Sequence, residues 1–276
     1  MEKSKEKIKS SIKEKILLMN TPLMSILPGQ ISFFVILSIL PLISVIAMII
    51  TKLSFSMTSI TNFVANYFPS GASNIILAII GQQRVGAFDV FFVITAFFLA
   101  AKATHSIVVA STTIYAGKQK DFIRTRIKAI VILIVLIFLV IFMFAALSGG
   151  KHLILYLSQI FPGTITKSVY LVYSILKWPV VFFMVFMVIK VIYTMAPNVK
   201  IPSNSVNKGA LSTTVIWTIS TFIYSFYASN LANYNKFYGN LSNLIILMIW
   251  IYWLSYIFVF GMTMNEYKFA NKKIKE

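Results

Sequence analysis

The sequence of 276 residues is both strongly apolar and strongly basic. Hydrophobic residues make up 58% of it, charged residues only 12%, and the formal net charge is +18. A water-soluble domain of this size could not cover so much apolar side chain with so little polar surface. The composition therefore predicts an integral membrane protein. The chain has no cysteine, which excludes disulfides and thiolate metal sites.

The first 29 residues predict a helix at the membrane surface. Basic and acidic residues alternate over residues 3–15, while Ile8, Ile12 and Ile16 recur at helical spacing. The stretch lacks the short apolar run and small-residue cleavage site of a signal peptide. We interpret residues 1–29 as an amphipathic cytoplasmic segment. The alternative is a solvated helix that only helps to orient the chain.

Six apolar runs follow, each long enough to cross about 30 Å of hydrocarbon, which takes about 20 helical residues. We therefore predict an all-α membrane fold with six transmembrane helices in residues 30–264 and short helices in the outer loops. Residues 265–276 form a basic cytoplasmic tail. The predicted spans cover residues 31–50, 86–116, 129–147, 178–196, 209–231 and 241–263.

The distribution of lysine and arginine predicts how the chain is oriented. Seventeen of them lie in the N-terminal segment, in residues 118–128 and 198–208 and in the C-terminal tail, against five in the other loops. Because basic loops stay on the cytoplasmic side, both termini are expected in the cytoplasm. The basic residues are thus explained by topology, and we expect no nucleic-acid partner.

Lys102, in the middle of the second predicted span, is the main candidate for a binding residue. A charge near the bilayer centre is costly, and such residues usually face a bundle interior or a watery cavity. Thr95, Ser106 and Thr113 share its helical face, and His105 lies beside them. This stripe predicts the lining of a polar cavity. The alternative is a lysine that snorkels or loses its charge, among hydroxyls bonded to their own helix.

Apart from the tails and Asp121 in the basic loop, the sequence has two acidic residues, and neither can readily pair with Lys102. Asp89 lies 13 residues away on roughly the opposite face of the same helix, and Glu266 lies near the inner end of the last span. We therefore expect the counter-ion of Lys102 to be external, either an anionic substrate or the head group of a membrane lipid. Lys190 lies about two helical turns from the end of its span, which favours snorkelling, with lipid binding as the alternative.

Residue patterns of enzymes are missing from the sequence. It has two histidines on different segments, no paired carboxylates, no cluster of metal ligands and no glycine-rich phosphate loop. We predict that the protein is not an enzyme and that it needs no catalytic residue, metal or cofactor. The oligomeric state stays open.

Four stretches, in this order along the chain, resemble the YihY/BrkB family of bacterial inner-membrane proteins. They are ISFFVILSILPLIS, AAKATHSIVVASTTIYAGKQKDFIRTRIKAI, LKWPVVFF with the later IYTMAPNVK and NKGAL, and NYNKFYGNLSNLIILMIWIYWLSYIFVFGMTMN. Thr112, Ala116 and Thr263 depart from the residues common in the family. The positions that match its motifs are Pro41, Pro179, Tyr193, Pro197, Gly209, Tyr238, Gly239, Trp250, Gly261 and Asn265.

The resemblance implies a multi-pass membrane protein with a suspected role in moving lipids or other envelope molecules. Members of the family once carried the label ribonuclease BN, which disagrees with the lack of carboxylate clusters in this sequence. Together with the unpaired Lys102, the resemblance predicts a transporter or lipid flippase-like protein for an anionic envelope molecule. The alternative is a scaffold or envelope-assembly factor that transports nothing.

Overall fold

The computed structural model describes residues 22–52, 56–68, 70–81, 89–115, 122–160, 164–230 and 242–273. Most of the N-terminal amphipathic segment lies outside this set. Every regular element within it is helical. The helices are α1 (Pro22–Lys52), α2 (Met57–Tyr67), α3 (Ser70–Gly81), α4 (Asp89–Ile114), α5 (Phe122–Ile160), α6 (Thr164–Met195), the 3₁₀ helix η1 (Ser203–Val206), α7 (Asn207–Asn230) and α8 (Ser242–Lys273).

Five of the described helices are long and apolar enough to cross a membrane, which confirms the prediction of an all-α membrane protein. The sixth expected span, α7, is not among the five. Its many serine, threonine and asparagine residues lower its hydropathy, so a sixth span stays a prediction. The five apolar segments are Pro22–Ile39, Val93–Ile114, Phe122–Leu147, Tyr173–Met195 and Leu244–Tyr267.

Helices α5 and α6, which contain the third and fourth predicted spans, are longer than the sequence predicted. The apolar segment of α5 ends at Leu147, as the sequence predicted, but the helix itself continues through Gly149 and Gly150 and ends at Ile160, after 39 residues. A glycine costs the interior of a helix only about 1 kcal/mol relative to alanine, so a pair need not end it. Helix α6 begins at Thr164, before the predicted start at residue 178, and contains Pro179.

Two short helices connect α1 to the stretch before α4. Ser56 is the N-cap of α2, and its hydroxyl accepts a hydrogen bond from the amide of Ser59 at 3.2 Å. Helix α2 packs against α3 and α5, and α3 packs against α1, α7 and α8. Such helices were expected in this segment, but their placement on the outer side of a membrane stays a prediction.

The long helices pack side by side in a closed ring, in the order α1, α4, α5, α6, α7, α8 and back to α1. The largest hydrophobic core fills one end of this ring, which we call the core end. All six helices contribute buried residues to it, among them Met24, Val108, Ala129, Tyr193, Ala210 and Met262.

Away from the core end, α6 and α7 pack much less tightly. Three consecutive residues of α6, Trp178, Pro179 and Val180, are exposed. Successive helical residues point about 100° apart, so three in a row cover most of the circumference of the helix. On α7, Phe222 and Ile223 are likewise exposed. The bundle is therefore closed at the core end and loosely packed in the other half of these two helices.

Candidate functional site

Lys102 does not stand alone, because a second cation shares its aromatic neighbour. Its Nζ lies 5.0 Å from the centre of the Phe98 ring, on the same helix. The guanidinium carbon of Arg126, on α5, lies 5.3 Å from the centre of that same ring and 6.0 Å from that of Phe122. The His105 ring lies 6.3 Å from the Phe122 ring. We call these five residues the cation cluster.

The spacing of the residues along two packed helices explains the cluster. Phe98 and Lys102 are one turn apart on α4, and Phe122 and Arg126 are one turn apart on α5, so each pair shares a helix face. Small residues of α4 lie at the contact with α5 and let the two backbones approach closely. The contact is made by Ala100, Ala101 and Leu133, all buried.

The cluster lies on the outer face of the α4–α5 pair. At the core end the interior of the ring is filled, yet Thr113 is exposed while its neighbours Thr112 and Ile114 are buried. The Thr113 side chain therefore points away from the ring, and Lys102 lies on the same helical face, half-buried. The Phe98 side chain is 49% exposed and Phe122 is 71% exposed. Lys102 therefore lies on a partly exposed face of the α4–α5 pair, and the polar cavity predicted around it stays a prediction.

The other members of the predicted stripe are in different environments. The Thr113 hydroxyl donates to the Val109 carbonyl at 3.0 Å, as the alternative interpretation expected. Ser106 is 1% exposed, and neither its hydroxyl nor Nδ1 of His105 has a hydrogen-bond partner in the described part of the chain. Thr95 is half-buried on α4. The structure thus brings Lys102 and His105 to one cluster and leaves Ser106 inside the protein.

Lys190 lies apart from this cluster, on α6. It is half-buried, and its Nζ lies 6.0 Å from the centre of the Phe186 ring one turn away. The described residues contain no ion pair to Lys102, Arg126 or Lys190. They also contain no group of three or more histidine, cysteine, aspartate or glutamate residues that could hold a metal ion.

Several motif residues of the family meet at the core end instead, where they join α6, α7 and α8. The Tyr193 hydroxyl donates to the Phe258 carbonyl at 2.6 Å and is 2.8 Å from the Thr213 hydroxyl. Gly261 makes this approach possible, because a Cβ there would lie 1.9 Å from Thr213 Oγ1 and 2.6 Å from Tyr193 Oη. We call Tyr193, Gly209, Thr213, Gly261 and Asn265 the Tyr193 node.

Asn265 completes the node by capping another helix. Its Oδ1 accepts a hydrogen bond from the Gly209 amide at 2.8 Å, and its Nδ2 donates to the Val206 carbonyl at 3.2 Å. The first amides of a helix have no partner within that helix, and Gly209 is the third residue of α7. A Cβ on Gly209 would lie 2.3 Å from the Asn265 amide, so glycine is required for this cap.

A second polar contact joins α4 and α5 to the end of α6. The Lys128 ammonium donates to the carbonyl of Pro197, the motif residue that follows α6, and to Asn198 Oδ1 at 3.3 Å. The Asn198 amide donates to the Thr112 hydroxyl at 3.2 Å. A cation at the C-terminal carbonyls of a helix is favourable. Thr112 departs from the family pattern, yet its hydroxyl still binds the α6–α7 connection.

Glu266 lies at the core end and not at the cation cluster. Tyr115, which follows the last residue of α4, is buried at the core end, and the Glu266 carboxylate lies near its phenol. Glu266 thus lies beside a buried tyrosine of the core end, away from Lys102.

The remaining motif positions lie within helices or outside the described residues. Pro41 lies inside α1, and Pro179 lies inside α6. The half-buried Trp250 stacks on Tyr224, with 6.1 Å between the ring centres. Tyr238 and Gly239 belong to the residues that the structure does not describe. Sequence reasoning missed Arg126 and Lys128 as members of polar contacts, because both were counted only as charges that orient the chain.

Comparison with known proteins supports the resemblance seen in the sequence. The family described as Virulence factor BrkB matches residues 23–275. The Bacillus subtilis (strain 168) protein named "Putative ribonuclease-like protein YfkH" is 26% identical over 253 residues, covering 90% of this chain and 91% of the relative. No solved structure matches the chain. The chain belongs to the Virulence factor BrkB family.

Proposed function

We propose that this protein is a transporter or flippase-like protein that handles an anionic envelope molecule in the bacterial cytoplasmic membrane. The observation that carries the proposal is Lys102, a half-buried lysine inside the apolar segment Val93–Ile114 with no ion pair in the described chain. Placing a lysine at the centre of a membrane helix costs about 2.5–3.5 kcal/mol on insertion scales. An anionic ligand bound to Lys102 would compensate its charge and offset this cost.

The proposal includes six spans and both termini in the cytoplasm. Helix α7 lies in the ring between α6 and α8, and its 24 residues reach about 36 Å, enough to cross the hydrocarbon. An even number of spans puts the two termini on one side. The excess of basic residues in the termini and in residues 118–128 favours the cytoplasm as that side.

The packing of the bundle also supports transport. Its core end is filled by residues from all six long helices, whereas the far halves of α6 and α7 are largely exposed. Proteins that alternate access to a site need two arrangements, each closed at a different end of the bundle. A bundle with a filled core end suits the arrangement that is closed at that end.

Ribonuclease activity is not part of the proposal. The name of the Bacillus subtilis relative describes that protein, and metal-assisted phosphodiester hydrolysis relies on clustered metal ligands. In the described chain the acidic residues are Asp89, at the start of α4, and Glu266, near the end of α8. We propose no catalytic role for either one.

Exchange of a labelled lipid between the leaflets of proteoliposomes tests the proposal. The probe is nitrobenzoxadiazole-labelled phosphatidylglycerol, whose outward-facing fraction is quenched by dithionite. Wild-type protein should speed up its exchange relative to protein-free vesicles, and Lys102→Met should slow that exchange by about tenfold or more. Lys200→Met, which removes an exposed lysine after α6, is the matched control and should behave as wild type.

Two outcomes would overturn the proposal. Wild-type protein that leaves the exchange at the level of protein-free vesicles would remove the flippase-like function for this lipid. Equal exchange by wild type and Lys102→Met would remove Lys102 from the mechanism. If exchange is absent while both proteins restore a strain that lacks this protein, the function is that of a scaffold in envelope assembly.

A further inference from the structure

We propose that Lys102 and Arg126 together bind the phosphate group of an anionic phospholipid that reaches them directly from the bilayer, across the outer face of α4 and α5. The inference rests on the proposed function and deepens it, because it names the substrate class and adds a second binding residue to the same site. Arg126 contributes what Lys102 alone cannot, a planar pair of donors that fits a phosphate.

Lys102 and Arg126 share one aromatic neighbour. The Lys102 ammonium lies 5.0 Å and the guanidinium carbon of Arg126 lies 5.3 Å from the centre of the Phe98 ring, so the two charges are no more than about 10 Å apart. Like charges within this distance repel each other in a medium of low dielectric constant. The aromatic ring attracts each cation but neutralises neither. A single anion bound between the two cations would remove this repulsion.

Among the described residues, no carboxylate competes for the two cations. Neither Lys102 nor Arg126 forms an ion pair with any residue that the structure describes. Glu266 lies near Tyr115 at the core end, and Asp89 is the first residue of α4, 13 residues before Lys102. Within the described part of the chain, the donors of both cations are therefore left for an external anion.

The apolar surface around the cation cluster favours a lipid over a soluble phosphate. Around the cation cluster the outer face of α4 and α5 is apolar and exposed, and acyl chains can lie against it. A soluble anion would gain nothing from such a surface. The exposed apolar side chains next to the cluster are Ile94, Phe97, Ile123 and Ile127.

The position of Lys102 along α4 determines how deep in the membrane a bound phosphate would lie. It lies about 18 Å from the end of α4 at Ile114, measured by the rise of a helix. A phosphate held by Lys102 would sit inside the apolar segment Val93–Ile114, and Arg126 lies one turn from the start of the neighbouring apolar segment Phe122–Leu147. Such a site would hold a lipid part of the way through its passage between the leaflets. Binding at the membrane surface alone would not need a lysine at this depth.

Native mass spectrometry of the intact, detergent-solubilised protein tests the inference. Wild type should retain added phosphatidylglycerol in preference to phosphatidylcholine, because only the former has a net negative charge. Arg126→Gln and Lys102→Met should each weaken phosphatidylglycerol binding by about tenfold, since a hydrogen bond to a charged group is lost. Arg126→Lys should restore part of the binding. Arg124→Gln, an exposed arginine on the same helix, is the matched control.

Several outcomes would overturn the inference. Unchanged phosphatidylglycerol binding by Arg126→Gln would exclude the second cation. Competition by inorganic phosphate at millimolar concentration would show that the site takes a free anion and not a lipid. Equal retention of phosphatidylcholine would show that the charge of the head group does not matter. Binding is compared only among variants that gel filtration shows to be folded like the wild type.

The binding and exchange measurements fail in different ways. If phosphatidylglycerol binds through both cations but is not exchanged between leaflets, the two-cation site stands and the flippase-like function is lost. If exchange depends on Lys102 while Arg126→Gln binds and exchanges lipid as wild type does, the proposed function stands and this inference is wrong.

Discussion

The Tyr193 node and the cation cluster contrast in how their polar groups are satisfied. In the node, the side-chain donors and acceptors of Tyr193 and Asn265 meet partners on other helices within 3.2 Å. In the cluster, Lys102 and Arg126 meet only aromatic rings and no carboxylate among the described residues. The node is buried, while the cluster lies at a partly exposed face.

This contrast separates residues that hold the fold from residues that can bind a ligand. A buried polar group is stabilising only when it is paired, so the node has little freedom to accept anything else. A half-exposed cation without a carboxylate partner has unused donors for an anion. We therefore expect substitutions in the node to lower the free energy of unfolding, and substitutions in the cluster to change lipid binding and exchange.

The largest expected effect on stability comes from Gly261→Ala. The added methyl group would lie 1.9 Å from Thr213 Oγ1, 2.6 Å from Tyr193 Oη and 3.1 Å from the backbone oxygen of Gly209. Helices α6, α7 and α8 would have to separate, and overpacking of this kind costs about 1–3 kcal/mol. The midpoint of unfolding in dodecyl sulfate mixed with a mild detergent measures the loss.

Gly29→Ala is the control for that substitution. A Cβ on Gly29 meets nothing within 4 Å, and alanine is the better helix former by about 1 kcal/mol. Gly29→Ala should therefore unfold at the same or a higher detergent fraction than wild type. Equal stability of Gly261→Ala and Gly29→Ala would contradict the close approach of the three helices.

A smaller effect is expected when the cap on α7 is removed. Asn265→Ala leaves the buried Gly209 amide and the Val206 carbonyl without their side-chain partner. Interhelical hydrogen bonds in membrane proteins are worth about 0.6 kcal/mol on average, and an unsatisfied buried group costs about 1–3 kcal/mol. We expect a loss of about 1–2 kcal/mol in the same unfolding measurement.

A double-mutant cycle sharpens this prediction. Gly209→Ala alone should be destabilising, because its methyl group would lie 2.3 Å from the Asn265 amide. In an Asn265→Ala background that amide is absent and the methyl group has room. The double variant should be more stable than the sum of the single effects by about 1 kcal/mol. Strictly additive losses would mean that the two residues do not touch in the membrane.

The sequence predicted the helices well because apolar runs in a bilayer have few other options. It did not predict how far a helix continues beyond its apolar segment. The apolar segment of α5 ends at Leu147, just before Gly149 and Gly150, yet a glycine pair alone has too small a cost to stop the helix. The long α7 was predicted as a span from its length, but its polar residues keep it outside the five most apolar segments.

The site was predictable only in part, for a similar reason. Lys102 was recognisable because a charge within an apolar run is rare and its depth follows from counting residues. Its partner Arg126 lies on the next helix, among other basic residues, so no spacing rule along one helix could single it out. The rotation of α4 that turns Lys102 outward depends on packing against α1 and α5, which periodicity alone does not reveal.

The smallest expected effect on stability is that of the cation cluster itself. Lys102→Met removes a charge from the segment Val93–Ile114 and keeps a flexible side chain of similar length. The lost attraction to the Phe98 ring is worth about 0.5–1 kcal/mol and is offset by the lower cost of burying an uncharged group. Lys102→Met and Arg126→Gln should therefore unfold within about 1 kcal/mol of wild type.

The small expected change in stability of these two variants gives the strongest test of the contrast between the Tyr193 node and the cation cluster. The same two variants are expected to lose phosphatidylglycerol binding about tenfold, whereas Asn265→Ala should keep the binding as long as it is folded. A loss of stability in Lys102→Met as large as that in Gly261→Ala would show that the lysine holds the bundle together, and the cluster would then be structural. Loss of lipid binding at full stability is the result that only a ligand site explains.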